Sequence, residues 1–420
     1  MRIAVWHNLP SGGGKRALYY QIKGLVERGH SVECWSPDMA DLSYLPLKEF
    51  APEHVVPFDY KPRTLPGHAG KAVSRYLNAI NRLRAMDKAC KQSAKEIEAG
   101  GFDILFASSC LLYNMPQVMR YARGPKVVYL QEPCRLLYEA RPVLPWVGRV
   151  EGKNVSLLTR TGRFVFDQLQ GQSFRIQARR EWSAAHSCDR ILVNSYYSRE
   201  SLLRAYGRSA KVCYLGVDTS LFRNLRKPRE GFIVGLGAFC PPKRIDLAIK
   251  AIAHLKEPRP KLVWIGNGGV MGYLEEMKSL ALSLGVEFEA KNTIPDSELV
   301  DILNRAALML YTPQLEPFGL APLEANACGT PVVAVAEGGV RETIKDEVNG
   351  MLVAPEPDSL AEAVAKLLRD PALARLMGER ASDHVQQKWI WSASIDNLEE
   401  NLLQVAQSSA AQRGAACSAH

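Results

Sequence analysis

The sequence is poor in the features that mark secreted, membrane-spanning or metal-stapled chains. No stretch approaches the ~18 uninterrupted apolar residues of a membrane span, so none is expected. The start, MRIAVWHNLPSGGG, turns polar after one short strand-like run and lacks the apolar centre of a signal peptide. The nine cysteines are odd in number and scattered, and no pair shows C-x-x-C spacing. A disulfide framework or a zinc site is therefore not expected, and the thiols are read as reduced, in a cytoplasmic protein. No repeat of fixed period is found, and no nucleic-acid-binding motif.

What remains is ordinary globular composition, 47% hydrophobic and 23% charged, in a chain of 420 residues. That is too long for one ordinary core, so two domains are expected. The net charge of +9 is uneven: residues 1–220 hold 32 Lys and Arg against 19 Asp and Glu, while the rest is slightly acidic. The basic half should face something anionic, which charge alone does not name.

Short β-rich runs alternate with amphipathic segments. Strands are expected at RIAVWH (2–7), SVECWS (31–36), DILFAS (103–108), KVVYLQ (126–131), RILVNS (190–195), KVCYLG (211–216), GFIVGLG (231–237), KLVWIG (261–266), AALMLY (306–311) and PVVAVA (331–336). Near-continuous apolar runs indicate burial on both faces, as in parallel sheets covered by helices. The class is α/β, with βαβ units throughout. Polar and Pro/Gly residues at 217–231 mark a junction, giving domains 1–216 and 217–388, a terminal helix over 389–407 returning to the first domain, and a disordered tail, 408–420.

After the first strand, Gly12, Gly13 and Gly14 strip a turn of Cβ atoms before a helix start, which suits an anion. Gly12-x-Gly14-x-x-Ala17, with Glu33 further on, also satisfies a dinucleotide fingerprint, so an NAD(P)-dependent oxidoreductase stays open on this loop alone.

The segment EPFGLAPLEANACGTP (316–331) puts Glu316 in a loop and Glu324 more than one turn inside a short helix closed by Gly329. At ~1.5 Å rise per residue, the two acids are expected on the order of 10 Å apart along one side of a ligand. Backbone N–H groups near Phe318, Gly319 and Leu320 lie between them at the positive end of the helix. An acid, an anion cradle and a second acid suit a nucleotide-sugar, with hydroxyls at both ends and phosphates between.

LEPFGLAPLEANACGTPVVAVAEGGVRETIKDEVNGMLV closely resembles the signature of glycosyltransferase family 4, the retaining GT-B enzymes, with Glu316 and Glu324 filling its E-x7-E motif. The resemblance runs from residue 2 to about 400. It implies two Rossmann-like, doubly wound parallel-sheet domains facing across a cleft, and hexosyl transfer from a UDP- or GDP-sugar to a glycan or lipid-linked acceptor hydroxyl. By that resemblance Glu324 binds the ribose, while Glu316 with Phe318, Gly319 and Leu320 faces sugar and phosphates. Gly338, Gly339 and Glu342 form the downstream GG..E element. GLGAFCPPKRIDLAIKAI resembles the family's segment carrying a phosphate-binding Arg and Lys, with Lys243 at the lysine position, and WIGNGG and NTIPDSELVDILNRAALML resemble its nucleotide-pocket loops, with Asn267 and Ile294.

Two departures stand out. Ala238 replaces the arginine usual after Gly237, leaving Lys243, Arg244 or Lys15 to supply charge. In VVYLQEPCRLLYEA, Gln131 replaces a histidine that touches the donor sugar, while Pro133, Arg135 and Tyr138 are retained. Lys15, Arg135 and Tyr138 are candidate acceptor contacts, with Gln131, Lys243 and Glu316 the candidates nearest the chemistry. No Asp-x-Asp pair occurs, so no metal or other cofactor is expected. Seven Lys and Arg in 71–95 surround Val73, Leu77, Ile80 and Leu83 at helical spacing, either a peripheral anchor on an anionic membrane or a core-packing helix. Aromatics and arginines in 141–182 are further acceptor-side candidates. A non-catalytic sugar-nucleotide binder of the same fold is the other alternative.

Overall fold

The computed structural model describes residues 1–139 and 157–417, which form two compact units. The first holds a seven-stranded sheet of β1 (Arg2–Asn8), β2 (Ser31–Pro37), β3 (Glu53–Val56), β4 (Ile104–Cys110), β5 (Lys126–Tyr129), β6 (Arg190–Val193) and β7 (Lys211–Val212), in spatial order β3-β2-β1-β4-β5-β6-β7. The second holds β8 (Glu230–Leu236), β9 (Lys261–Gly266), β10 (Phe288–Asn292), β11 (Ala306–Tyr311), β12 (Val332–Val335) and β13 (Gly350–Val353), in order β10-β9-β8-β11-β12-β13. Pairing is parallel from β1 to β2 and β4, and from β8 to β9 and β11. Each sheet reverses its winding once, between β1 and β4 in the first and between β8 and β11 in the second. Ligands of open α/β sheets bind at the carboxyl ends of the strands beside such a reversal.

The central strands are the expected apolar runs: Ile3, Val5, Phe106 and Val127 are wholly buried, as are Ile233, Leu308 and Val333. Gly235 on β8 is required by packing, since a Cβ there would sit 2.2 Å from the Trp264 ring. Three strands were not expected, β3, β10 and β13, and all are sheet edges. Their residues are mostly half-buried; β3 and β10 mix polar residues into the strand, while β13 is apolar but only four residues long. The strand expected over 211–216 shrinks to Lys211–Val212.

Residues 217–231 do not hang free as a linker. Val217 N–H donates to Trp389 O at 2.7 Å, Phe222 is buried, and Leu225 N–H donates to Asn304 Oδ1 at 2.7 Å, all within the second unit. That unit spans Val212–Asn397 and takes in Asn194–Ser198, while the first resumes at Leu398. The last helix runs from Trp391 to Cys417, past the expected end at 407 and into the stretch expected to be disordered. Ala410, Ala411, Ala415 and Ala416 supply the helix propensity that a reading of small polar residues overlooked.

Among the described residues no helix is long and apolar enough to cross a membrane. Helix Gly67–Gly100 buries Ile80, Leu83, Met86 and Cys90 but leaves Val73 and Leu77 exposed, so only its second half is a core helix. Eight of the nine cysteines, Cys34 through Cys328, are free. Of the acceptor-side candidates in 141–182, residues 141–156 lie outside the described residues.

Candidate active site

In the second unit, four loops leave the carboxyl ends of β8, β9, β10 and β11, and all the candidates of this unit except Glu324 lie on them or where they enter a helix. The β8 loop folds as a short 3-10 turn, Pro241–Lys243, and ends at Arg244 in the left-handed region, φ 49°, which caps helix Ile245–Ala253. Thr312 Oγ1, just beyond β11, donates to the carbonyls of Lys243 and Arg244, at 2.9 and 3.0 Å. The loops of two sheet-adjacent strands are thereby stapled together.

Their side chains meet as well. Lys243 Nζ donates to Glu316 Oε2 at 2.8 Å, and both side chains are roughly a quarter to a fifth exposed, at 24% and 21%. Arg244 pairs with Glu337 at 3.1 Å, and Glu337 Oε2 also accepts the Leu315 N–H at 3.2 Å. Both ion pairs join loops at the carboxyl ends of strands beside the sheet reversal, where ligands of open α/β sheets bind.

Helix Leu320–Ala327 begins at Gly319, whose φ of 93° favours glycine, and no side chain caps its first turn. The N–H groups of such an uncapped turn suit an anion. Glu324 lies inside the helix and is buried, at 6% exposure. The Phe318 side chain faces inward, its ring 6.2 Å from Tyr214 and 5.6 Å from Trp389, so only its main chain remains for a ligand. Asn267 is exposed just after β9, and Ile294 is half-buried after β10. Their loops are tied by Thr293 N–H to Gly266 O at 2.8 Å and Gly268 N–H to Asn292 Oδ1 at 3.0 Å. At the other end of the Glu324 helix, the Arg229 guanidinium donates to the carbonyls of Cys328, Gly329 and Leu303 and to the Thr330 hydroxyl.

In the first unit, Gly12, at φ 135°, starts helix Gly13–Glu27, again with no side-chain cap. A Cβ on Gly14 would lie 3.4 Å from Gln131 Nε2, so the loop after β1 and the residue after β5 are neighbours. Arg135 is held by its own segment, between Glu132 and Glu139. Tyr138 packs edge-on against Tyr206, with ring centroids 5.2 Å apart. Under this segment lies Glu181, buried, accepting from Gln177 Nε2 and the Tyr206 hydroxyl, both at 2.9 Å. Burial pushes its carboxyl up to about 7 against those bonds.

Lys15 departs from expectation. Its side chain is wholly buried, and Nζ has no hydrogen-bond partner among the described residues. Burial pulls its ammonium below the usual lysine range, opposed chiefly by the Glu53 charge. The adjacent His7, also buried, is pulled down to about 3 by burial and then by Lys15. Lys15 therefore does not line an open ligand surface. The fingerprint acid fails too: Glu33 lies in the first half of β2, where it accepts from His54 Nε2 at 2.9 Å and faces Arg2 at 3.7 Å, short of the strand end where a ribose would sit.

Comparison with known proteins decides the family. The family described as Glycosyl transferases group 1 matches residues 217–384, and Glycosyltransferase Family 4 matches residues 11–221. D-inositol 3-phosphate glycosyltransferase 1 of Catenulispora acidiphila is 30% identical over 323 residues, 71% of each chain. The chain belongs to glycosyltransferase family 4. It spans 54% to 71% of the length of the first curated relatives it matches. Two solved structures share the fold at 19% identity. Sucrose-phosphate synthase from Thermosynechococcus elongatus has a TM-score of 0.73, over 97% of this chain and all of that one. Anabaena HepE in complex with UDP has a TM-score of 0.68, over 96% of this chain and all of that one. The fold is GT-B.

Within this family-4 chain, the sequence reading missed Glu337, which holds Arg244 and the Leu315 amide. It also gave no role to Glu342, although both acids flank the Gly338-Gly339 pair it had noted. The signal was local: glycines beside acids imply backbone in close approach. A Cβ on Gly338 would lie 2.3 Å from Glu316 O, and one on Gly339 2.0 Å from Pro317 O. Among the described residues no group of three or more His, Cys, Asp and Glu stands ready to hold a metal ion.

Proposed function

We propose that this protein is a retaining hexosyltransferase that uses a UDP- or GDP-hexose and an acceptor hydroxyl on a glycan or lipid-linked glycan. The observation that carries the reading is the Lys243–Glu316 pair beside the uncapped helix start at Gly319, at the reversal of the second sheet. Glu324 is assigned the ribose hydroxyls and Glu316 a sugar hydroxyl, and the loops with Asn267 and Ile294 flank the base. Lys243 and the amides of Gly319 and Leu320 are assigned the diphosphate. Arg244 stands behind Lys243, held by Glu337. In the first unit the Gly12–Gly14 amides are the anion cradle, and Gln131 offers a hydroxyl both a donor and an acceptor.

In the reaction the acceptor oxygen attacks the anomeric carbon as the bond from that carbon to the phosphate oxygen breaks. The electron pair leaves on the diphosphate, and the acceptor proton passes to the departing phosphate oxygen on the same face. Stabilising that growing negative charge is the protein's main electrostatic task, and fixed cations and amides do it without reorganising. Gln131 cannot titrate, so this route asks no proton of it.

UDP bound in the HepE structure favours a nucleotide-sugar over a dinucleotide. The test is a thermal-shift screen against UDP-, GDP- and NAD-type ligands, because a ligand selective for the folded state raises the melting point. Glu324→Ala should abolish the donor-induced shift, and Lys243→Ala should mainly lower turnover. Normal donor affinity and turnover in both variants would refute the assignment. For the acceptor side, exposed Val73 and Leu77 among Lys71, Arg75 and Arg82 are the proposed contact with an anionic membrane. Co-sedimentation with phosphatidylglycerol vesicles, absent with neutral ones and lost in Leu77→Glu, is the expected result.

A further inference from the structure

Glu342 touches none of the groups assigned to the donor, yet it joins three segments of the second unit. Its Oε2 accepts the Tyr196 N–H at 2.9 Å and the Tyr214 hydroxyl at 2.9 Å, and its Oε1 accepts the Tyr197 N–H at 3.0 Å. Both oxygens are therefore used, one of them twice. From this carboxylate two lines of contact run to two consecutive residues, Pro317 and Phe318. Ser195, adjoining Tyr196, donates from Oγ to Pro317 O at 2.5 Å, and Ser198 Oγ lies 3.5 Å from the same oxygen. The Tyr214 ring packs on Phe318 and, at 5.1 Å, on Trp389, which itself packs on Phe318.

We infer that Glu342 is a positioning residue for the loop that presents Glu316 to the transferred sugar. The inference rests on the assignment of Glu316 made above. Pro317 and Phe318 follow Glu316 directly, so fixing the Pro317 carbonyl and the Phe318 ring fixes where the Glu316 carboxylate stands. A third contact closes the frame: Gly339 N–H, three residues before Glu342, donates to Glu316 O at 2.8 Å. Burial, followed by the Glu342 bond, pushes the Tyr214 hydroxyl above its usual range, so it stays a donor at any working pH. Glutamine is a poor substitute, because its NH2 group would confront an N–H or O–H donor. The nucleotide end, with Glu324 and the loops after β9 and β10, is held by other contacts and should not feel the change.

The test separates the two ends of the donor. Dissociation constants of UDP and UDP-glucose, and of GDP and GDP-mannose, are measured for wild type, Glu342→Ala, Glu342→Gln and Tyr214→Phe. Slow donor hydrolysis without acceptor is followed in parallel. In Glu342→Ala the free nucleotide should bind within about twofold of wild type, while the extra affinity contributed by the sugar disappears and hydrolysis falls about 10- to 100-fold, the cost of misplacing a group by about an ångström. Glu342→Gln should fall between, and Tyr214→Phe, which keeps the ring and loses one bond, should show a milder form of the same split. If Glu342→Ala does not fold, Tyr214→Phe alone decides. Parallel loss of nucleotide and sugar affinity, or an unchanged sugar contribution, overturns the positioning role. Wild type that binds none of the four ligands refutes instead the functional reading on which it rests.

Discussion

If Lys243 serves the diphosphate, then in the empty protein it is already spoken for by Glu316, and a ligand must compete for it. The pair is 2.8 Å long with both side chains partly solvated. Exposed ion pairs give ~0.2–1 kcal/mol, and a charge-assisted bond in a half-buried loop belongs near the upper end, about 1 kcal/mol. Glu316→Gln removes that competition and also removes a negative charge close to where the phosphates would bind. Both effects have the same sign, so UDP or GDP should bind about fivefold more tightly, the equivalent of about 1 kcal/mol. Isothermal titration at two ionic strengths is the assay. The gain should shrink at high salt, since the screening length falls from ~10 Å at 0.1 M to ~3 Å at 1 M. Turnover should fall in the same variant, because the sugar loses its carboxylate partner. Nucleotide affinity equal to or weaker than that of wild type would show that Lys243 is not held back by Glu316, and the proposed exchange of partners would be wrong.

Two further outcomes follow from packing and burial. Gly339→Ala introduces a Cβ 2.0 Å from Pro317 O, at a φ of −76° that alanine adopts freely, so its whole effect is steric. It should lower stability by ~1–3 kcal/mol and turnover about 100-fold, read by thermal melt and donor hydrolysis, and wild-type turnover would contradict the close approach. Glu181 has its folded pKa raised from 4.5 to about 7, so the folded state holds its proton more tightly than the unfolded state. Its full stabilising share is present below about pH 4.5 and is lost as pH rises through 7, an effect on the order of 3 kcal/mol. Glu181→Gln, neutral at every pH, should therefore gain roughly 5 °C on wild type between pH 5 and pH 8, and parallel melting curves would refute the shift.

The strands that build each sheet centre were legible because two covered faces demand unbroken apolar runs. β3, β10 and β13 were not: each has a neighbour on one side only, β3 and β10 mix polar residues into half-buried positions, and β13 is a run of just four residues. Lys243, Glu316 and Glu324 could be named from motif spacing, but the Lys243–Glu316 bond could not, since it depends on β8 and β11 being neighbours. Lys15 was misread although the information was present. With Leu18, Ile22 and Leu25 it falls on one stripe of helix Gly13–Glu27, and that stripe is buried. The glycines just before it drew attention to an open loop and away from that periodicity.

The Lys243–Glu316 bond joins residues 73 positions apart, through two strands that lie side by side only after β9 and β10 have been laid down on the far flank of β8. Such pairings of high sequence separation form late, because loop closure precedes the reward. A growing polypeptide on the ribosome thus carries its lysine well before the acid that neutralises it, and the pair forms only when β11 slots against β8. Under the proposed function, ligand affinity in this unit is therefore a readout of completed topology, and a chain that stops before β11 has made three of the second sheet's six strands but not this ion pair.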